Sequence, residues 1–485
     1  MALRIYNSLT RRLEDFVPLN EGRVLMYSCG PTVYDYFHIG NARTFLVSDI
    51  VRRYLEYKGY IVKFVQNLTD IDDKIINRAN SQGISASQLS QKYIDAFFVD
   101  VRSLGIRPAN VYPQATQHIP EIISLIQTLV EQGAAYVVDS DVYFRVNSFS
   151  DYGKLSNRRA EDILAGARVE IDARKEDPRD FDLWKGAKPG EPAWDSPWGP
   201  GRPGWHIECS AMVMKHLGET IDIHAGGQDL QFPHHENEIA QSETATNKPF
   251  ARYWMHVAFL RIDDRRMGKS EKNFILVHDA LETYSPETIR HFLVSAQYRH
   301  PLDYNAISLQ ESASAIRRLR NCIDALTPYQ DANSDVLETG GLADGENTLL
   351  NAVRTMRQDF EAAMDEDFNT AGGIGAIFKL VGQVNLFLSE TNHPSPFAQS
   401  VLGFAYKNLV TVCDVLGIYT PPETNEGRQA ELVEQLMTLI IGIRQDAKQR
   451  KDWGTADKIR DQLKALNIEV QDTRTGTSWK MIQGG

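Results

Sequence analysis

The densest concentration of metal-ligating side chains in the chain runs from Trp205 to Glu238, in the stretch WHIECSAMVMKHLGETIDIHAGGQDLQFPHHENE. His234 and Glu238 stand four apart in HHENEIAQSE, a segment of helical character that follows Pro233, so both side chains project from one face. Cys209 lies one strand and one loop earlier. Thiolate, imidazole and carboxylate together suit zinc, and three such ligands leave a fourth position for water, substrate or a distant residue. Cys29, in YSCGPTVY, is the candidate for that place. The plainer reading is a buried thiol beside hydrogen-bonded imidazoles. His206, His224 and His235 crowd the same stretch, and spacing alone does not choose between His234 and His235. Only His234 sits at i, i+4 from Glu238.

These groups need a rigid frame, and the start of the chain shows its pattern. Val24 to Tyr27 is an apolar run ending in Ser28, Cys29, Gly30 and Pro31, as a buried parallel strand meeting its loop does. HIGNARTFLVSDIVRRYLEYKG predicts a helix, with Phe45, Ile50, Val51 and Tyr54 on its apolar face and Gly59 closing it. Ile61 to Val65 is the next strand. Strand, helix, strand is the crossover unit of a parallel sheet, which binds ligands outside the carboxyl ends of its strands. Cys29 and His38 to Asn41 fall at such an end. The His38 imidazole and free backbone amides near Gly40 and Asn41 suit phosphate oxygens at a helix amino terminus. In NLTDIDDKII, Thr69 is the expected helix cap, and Asp70, Asp72 and Asp73 complement the helix dipole. Residues 84–135 read as helical, with Ile122, Leu125, Ile126 and Leu129 in one buried stripe. Residues 136–203 break into a short strand, VYFRV, a mixed-charge stretch and the Pro, Gly and Trp-rich AKPGEPAWDSPWGPGRPG, which reads as an insertion. Ile221 to His224 then returns to the sheet and ends in Ala225, Gly226 and Gly227, where absent side chains let a ribose or adenine lie against the backbone.

At 485 residues the chain exceeds what one core supports, and about three domains are expected. Hydrophobic content of 42% and charged content of 24% are those of a soluble globular protein rather than a disordered one. MALRIYNSLTRR lacks the apolar stretch of a signal peptide and no later run approaches a membrane span, so a cytoplasmic protein with no membrane partner is expected. Four cysteines, Cys29, Cys209, Cys322 and Cys413, argue against a disulfide framework, and the last two read as core thiols. A net charge of -12 permits a nucleic-acid partner only where positive charge is locally concentrated.

Read together and in order, PTVYDYFHIGN, GWHIECSAM, AGGQDLQFPHHENE and RMGKSEKNF resemble the active-site signatures of cysteinyl-tRNA synthetase, a class I aminoacyl-tRNA synthetase. The resemblance continues through MDEDFNTAGG and DWGTADKIRDQL to GTSWK, so it spans essentially the whole chain. It implies an α/β protein, with a Rossmann-type parallel-sheet catalytic domain carrying an insertion, then a helical bundle and a small α+β anticodon-binding end. The expected boundaries are 1–135 and 204–260 for the two catalytic halves and 136–203 for the insertion. A stem-contact region with the RMGKS loop follows at 261–320, the bundle at 321–428 and the anticodon domain at 429–485.

What the resemblance implies for function is specific. His38 to Asn41 is similar to the HIGH tetrad that holds ATP phosphates, with Asn41 in place of the last histidine. RMGKS is similar to the KMSKS loop, with Lys269 neutralising charge on the pyrophosphate leaving group. Cys29, Cys209, His234 and Glu238 resemble the ligands of one Zn2+, which the thiolate of substrate cysteine joins. A serine hydroxyl holds its proton far more tightly than a thiol and is a poorer zinc ligand, so the metal itself rejects serine. Gly30, Thr69 and Trp205 would line the amino-acid pocket; Gly227 and Asp229, with His38, Gly40, Asn41 and Lys269, would hold ATP, accompanied by Mg2+. The implied partners are L-cysteine, ATP and tRNA(Cys), for a monomer.

The carboxy-terminal end decides what receives the activated amino acid. Glu431 to Arg450 reads as a helix, and between Arg444 and Lys464 seven basic residues face four acidic ones. Trp453 shares a stripe with Ala456, Ile459 and Leu463, which predicts core packing. The resemblance implies instead stacking on an anticodon base, with Lys448, Asp457 and Asp472 reading base edges. Two other readings are a ligase joining cysteine to an amino sugar and a non-catalytic RNA-binding paralogue. DWGTADKIRDQL argues against the first, and retention of His38, Lys269 and all four ligand candidates against the second.

Overall fold

The structure, a computed structural model, describes residues 2–158, 173–262, 265–268, 273–333, 342–391, 393–419, 436–437, 439–448, 450–465, 468–473 and 476–481. They fall into two compact units, Met1–Tyr419 and Thr420–Gly485.

In the first unit the buried apolar runs pair as a parallel four-stranded sheet: β1 (Arg23–Ser28), β2 (Ile61–Gln66), β3 (Ile221–Gly227) and β4 (Ala251–Val257), in the spatial order β4-β3-β1-β2. Met26 sits opposite Phe64 on one side and Ile223 on the other, which aligns the carboxyl ends of the strands. Helix α1 (Ile39–Tyr57) makes the crossover from β1 to β2. The chain leaves β1 for a neighbour on one side and later returns as β3 on the other. The crevice between β1 and β3 is therefore the topological switch point, where such sheets bind ligands.

The insertion forms its own antiparallel sheet from Ala135–Val138, Asp141–Phe144, Phe181–Gly186 and Gly201–Pro203. Gly204 ends it: a Cβ there would lie 2.0 Å from the Asp182 carbonyl oxygen, so only glycine allows the chain to turn into helix α2 (Trp205–His216). Helix α3 (Glu236–Thr246) follows β3. Beyond β4, the hairpin Leu260–Ile262 with Arg265–Arg266 precedes two short helices, and four long helices, Ala306–Leu326, Asp344–Asp365, Thr370–Glu390 and Pro396–Leu416, form the bundle.

Several sequence expectations need correction. Residues 84–135 are not continuously helical: helices span Ala86–Ser103 and Ile119–Glu131, and the segment between them lies along the end of β2, Gln66 N donating to Val111 O at 3.1 Å. Pro108 and Pro113, which lack the amide a helix needs, account for the break. Thr69 is not a helix cap. Asp72 caps helix Asp73–Gln82 through Lys74 N, while Asp70 is buried and accepts from Thr116. Helix Thr370–Glu390 is long and apolar enough to cross a membrane by length and composition, contrary to expectation. Its residues Ile377, Leu380, Val381 and Val384 are buried in the bundle.

One buried ion cluster joins the layers. Asp49 on α1 accepts from Arg53 Nε and Arg290 Nη2, each at 2.9 Å, and from Arg107 N at 3.2 Å. Arg290 also donates to the carbonyls of Leu104 and Leu416, so it ties the parallel sheet's first helix to the last helix of the bundle. Asp49 is 1% exposed and Arg290 likewise 1%. Replacing Asp49 by Ala strands a buried guanidinium, and urea unfolding of this variant is expected to show a loss of about 3–5 kcal/mol.

In the second unit, residues 439–448 are helical, a helix spans Trp453–Ala465 and a hairpin pairs Ile468–Thr473 with Gly476–Met481. The start of the helix expected from Glu431 lies outside the described residues.

Candidate metal centre and nucleotide cleft

Four side chains converge at the carboxyl edge of the sheet, from three separate elements. Cys29 leaves the end of β1, its amide extending the ladder by donating to Ala225 O at 3.1 Å. Cys209 comes from α2 and Glu238 from the first turn of α3. His234 precedes α3 in a turn that follows the cis Phe232–Pro233 bond. Cys29 Sγ lies 4.0 Å from Cys209 Sγ and 3.5 Å from Glu238 Oε1. His234 Nε2 lies 3.5 Å from Cys209 Sγ and 3.0 Å from Glu238 Oε1. A tetrahedral zinc ion with bonds of about 2.3 Å to sulfur and 2.0 Å to nitrogen or oxygen needs ligand separations of roughly 3.3–3.8 Å. The four atoms bracket that range, and all lie within 4.8 Å of one another, so the residues fit the ion.

The electrostatics suit the same use. Cys209 is drawn down to about 6, first by the Cys29 thiol that donates to it, and so holds a thiolate. Cys29 is pushed well up by burial and by its charged neighbours and keeps its proton. Burial would lower His234, but Glu238 and the Cys209 thiolate outweigh it and raise the imidazole to about 10. A cation entering here replaces the protons of Cys29 and His234.

Behind the ligands stands a layer of histidines. His224 Nε2 is 2.8 Å from Glu238 Oε2, and His235 Nε2 is 3.3 Å from Cys29 Sγ. Cys29, His224, His235 and Glu238 form a second, overlapping quartet of potential ligands. The two quartets share Cys29 and Glu238. His235 in turn meets His256 Nε2 at 2.9 Å, and His206 meets His234 Nδ1 at 2.9 Å. Such contacts fix the rotamers of ligating groups. The crowding of His206, His224 and His235 was visible in the sequence; His256, on β4, carried no local signal. Gly226 does not face a ligand: a Cβ there would lie 2.6 Å from His235 Cε1, so its missing side chain makes room for the imidazole.

Beside the candidate metal centre opens a cavity of about 620 Å³ whose wall includes Cys29, Gly30, His38, Asn41, Gly227 and Asp229. Gly40 and Trp205 line it as well. Trp205 stacks on His234 with ring centroids 4.2 Å apart, joining the wall to the ligands. Gly30 is sterically obligatory, since a Cβ would sit 1.7 Å from Asn67 O. Thr69 lies behind the wall, buried, its hydroxyl between Asn67 Nδ2 at 3.2 Å and Glu208 Oε2 at 3.1 Å. Glu208, missed in the sequence, is pushed well above the usual carboxylate range by burial and by the adjacent Cys209 charge.

His38 caps α1, its Nδ1 accepting from Asn41 N at 3.2 Å. A neutral ring in that tautomer carries its proton on Nε2, which makes Nε2 a donor. The Asn41 amide is thereby engaged with His38 itself, not free for a phosphate as the sequence suggested. Gly40 also accommodates Met267, whose Cε would lie 2.6 Å from a Cβ at that position. Ile39 N donates to Ile275 O and Val277 N to Phe37 O, so HIGN and the segment after RMGKS are joined by backbone hydrogen bonds. Lys269 lies outside the described residues.

In the second unit, Trp453 is 59% exposed while Ala456 and Leu463 are buried, so the expected core role of the indole is wrong. It stands at the first residue of its helix, where the apolar stripe has run out of neighbours. Asp457 is exposed and pairs with Arg460 at 2.9 Å. Lys448 is half-buried and the backbone of Asp472 is in the hairpin, opposite Thr477.

Residues 15–314 match the family model described as the tRNA synthetases class I (C) catalytic domain, and residues 359–420 match the DALR domain. A protein of Pelotomaculum thermopropionicum named cysteine–tRNA ligase is 50% identical over 99% of both chains. One of the same name from Bacillus licheniformis is 47% identical, again over 99% of each. Among solved structures, a Mycobacterium tuberculosis methionyl-tRNA synthetase in complex with methionyl-adenylate superposes with a TM-score of 0.60 at 15% identity, over 82% of this chain and 90% of that one. A putative arginyl-tRNA synthetase from Campylobacter jejuni gives 0.56 at 11% identity, over 81% and 92%; both likenesses concern the fold. From the catalytic-domain match and the full-length identity together, the chain belongs to the cysteine–tRNA ligase family of class I aminoacyl-tRNA synthetases.

Proposed function

We propose that this protein activates L-cysteine with ATP and transfers the cysteinyl group to the 3′ end of tRNA(Cys). The observation that carries the reading is the quartet Cys29, Cys209, His234 and Glu238, which meets a nucleotide-sized cleft at the sheet's switch point through Cys29 in the cleft wall. The relatives named cysteine–tRNA ligase support it over their full length. Zinc held by the quartet would supply a Lewis-acid seat that accepts a thiolate and discriminates against a hydroxyl.

The chain's own groups then do the following. Trp205 and Gly30 wall the amino acid beside the quartet, leaving its carboxylate towards the nucleotide. Gly227 and Asp229, at the end of β3, receive the nucleoside, and the His38 Nε2 proton is offered to phosphate oxygens at the start of α1. A carboxylate oxygen attacks the α-phosphorus, the bond to pyrophosphate breaks, and Lys269 neutralises the leaving charge; Mg2+ arriving with ATP would add to that neutralisation. A hydroxyl of the terminal ribose next attacks the adenylate carbonyl, AMP departs with the bonding pair, and the hydroxyl proton is released. The second unit reads the anticodon through Trp453, Lys448, Asp457 and Asp472; exposure of the Trp453 ring supports stacking on a base. A cytoplasmic monomer completes the reading.

Cys209→Ser is expected to lose bound zinc, measured by a chromogenic chelator, together with cysteine-dependent exchange of pyrophosphate into ATP. Normal exchange by the zinc-free variant would overturn the role of the metal. Trp453→Ala is expected to lower charging of tRNA on the order of 10-fold, the scale of one lost base stack, while exchange persists. Equal loss of both activities would assign Trp453 to folding instead.

A further inference from the structure

Two loops leave the carboxyl ends of β1 and β2 side by side, and each carries a group that the adenylate-forming site does not use. The first passes from Cys29 and Gly30 through Pro31 to Tyr34, and the second from Asn67 and Thr69 to Lys74. Backbone hydrogen bonds lock them together: Thr69 N donates to Pro31 O and Val33 N to Thr69 O, both at 3.1 Å. Gly30 N donates to Asn67 Oδ1 at 2.8 Å. Five residues beyond the metal ligand Cys29, and five beyond Thr69, the two arms meet, with Lys74 Nζ 5.7 Å from the Tyr34 ring centroid. Both residues line the cavity that holds the amino-acid and nucleotide positions.

Among the described residues, other cations near this mouth are committed. Arg78 pairs with Asp35 at 2.9 Å, Lys185 with Asp73 at 2.8 Å, and Arg202 with Asp73 and Glu191. Lys74 is exposed, and among the described residues no carboxylate lies within ion-pair distance of it. Tyr36, further along the first arm, is wedged between Tyr93 and His278, with ring centroids 5.2 and 4.8 Å away, so the arm is held on that side. An uncommitted cation against an aromatic face, both reaching one cleft, is suited to a nucleotide: phosphate on the amine and base or ribose against the ring.

The sheet order says which nucleotide. Gly227 and Asp229, the nucleoside positions, follow β3, on one side of β1; Lys74 follows β2, on the other. The amino-acid pocket at Cys29 and Gly30 lies between them, at the end of β1 itself. A group held by Tyr34 and Lys74 therefore reaches the amino acid from the β2 side, opposite the nucleoside positions on the β3 side, where an attacking ribose would not overlap the nucleoside.

Resting on the function proposed above, we infer that Tyr34 and Lys74 seat the terminal nucleotides of the tRNA acceptor end, Lys74 through a backbone phosphate and Tyr34 through its ring. They are positioning residues for the transfer step, not for formation of the adenylate. The contact is electrostatic on one arm and apolar on the other, so the two arms differ in their response to salt.

The test separates the two steps in the zinc-replete, full-length protein. Pyrophosphate exchange with cysteine reports activation, and single-turnover transfer from preformed cysteinyl-adenylate to tRNA reports the second step. Lys74→Ala is expected to slow transfer at subsaturating tRNA on the order of 10-fold more than exchange, the scale of one lost phosphate contact, with a shallower dependence on salt. Lys74→Arg is expected to restore transfer, and Tyr34→Phe to retain it where Tyr34→Ala does not. Transfer by Lys74→Ala equal to wild type, or transfer and exchange lost in the same proportion, would overturn the assignment. Wild-type protein without cysteine-dependent exchange would overturn the parent reading and this one with it.

Discussion

Complete burial of the Glu238 carboxylate governs the catalytic unit. An ionised carboxyl group with no exposure is unfavourable unless it is charge-compensated and hydrogen-bonded. Glu238 meets that demand twice, with His224 on one oxygen and His234 on the other, and its acidity rises accordingly despite desolvation. Each partner comes from a different place: His224 is within β3 and His234 is in the turn that leads into α3. To hold the carboxylate, the end of β3, the turn and the first turn of α3 must therefore be placed together. That arrangement also brings His234 and Glu238 against Cys29 and Cys209. The convergence of these four potential ligands is in this sense a product of compensating one buried charge.

The parallel sheet supplies the other half of the geometry. Because β1 is flanked by β3 on one side and β2 on the other, three loops emerge side by side at one edge. Steric necessity keeps them in place. Gly30 passes so close to the Asn67 carbonyl that no side chain fits, and Gly226 yields its space to His235. The same edge is connected to the distant bundle through α1. Its amino end is capped by His38 beside the cleft, while its middle carries Asp49, which holds Arg290 and Arg53 in the bundle-facing core. A single helix thus begins at a capping histidine beside the cleft and anchors the next layer from its middle.

Much of this was legible in the residues alone, and what was not has identifiable causes. The i, i+4 relation of His234 and Glu238 survived because residues 233 onward already have helical backbone, although the helix proper starts at Glu236. The strand ends at Cys29 and Gly227 followed from apolar runs terminated by glycine. Thr69 was misread because capping chemistry is local, whereas its hydroxyl is claimed by Glu208, 139 residues away, and the cap passes to Asp72. For Trp453 the apolar stripe alone pointed to core packing, but the ring is 59% exposed, because a stripe does not show which of its members are covered. His256 could not be found at all: its contact with His235 depends on β4 lying beside β3, a pairing set by the whole sheet.

The acidity of the chain is reconciled with a polyanionic partner by asking which cations are spoken for. Arg43, Arg53 and Arg290 are buried, donating to carbonyls or carboxylates inside the fold. Arg78, Arg107, Arg145 and Lys185 are on or near the surface but face acidic partners. With a net charge of -12, long-range attraction contributes little, and most of the surface repels RNA. Binding must then depend on a few uncompensated positions whose local field is not cancelled within a Debye length. Such a surface gains selectivity from its own repulsion, because an RNA that cannot bring phosphates to those positions while avoiding the acidic remainder finds no compensating contact.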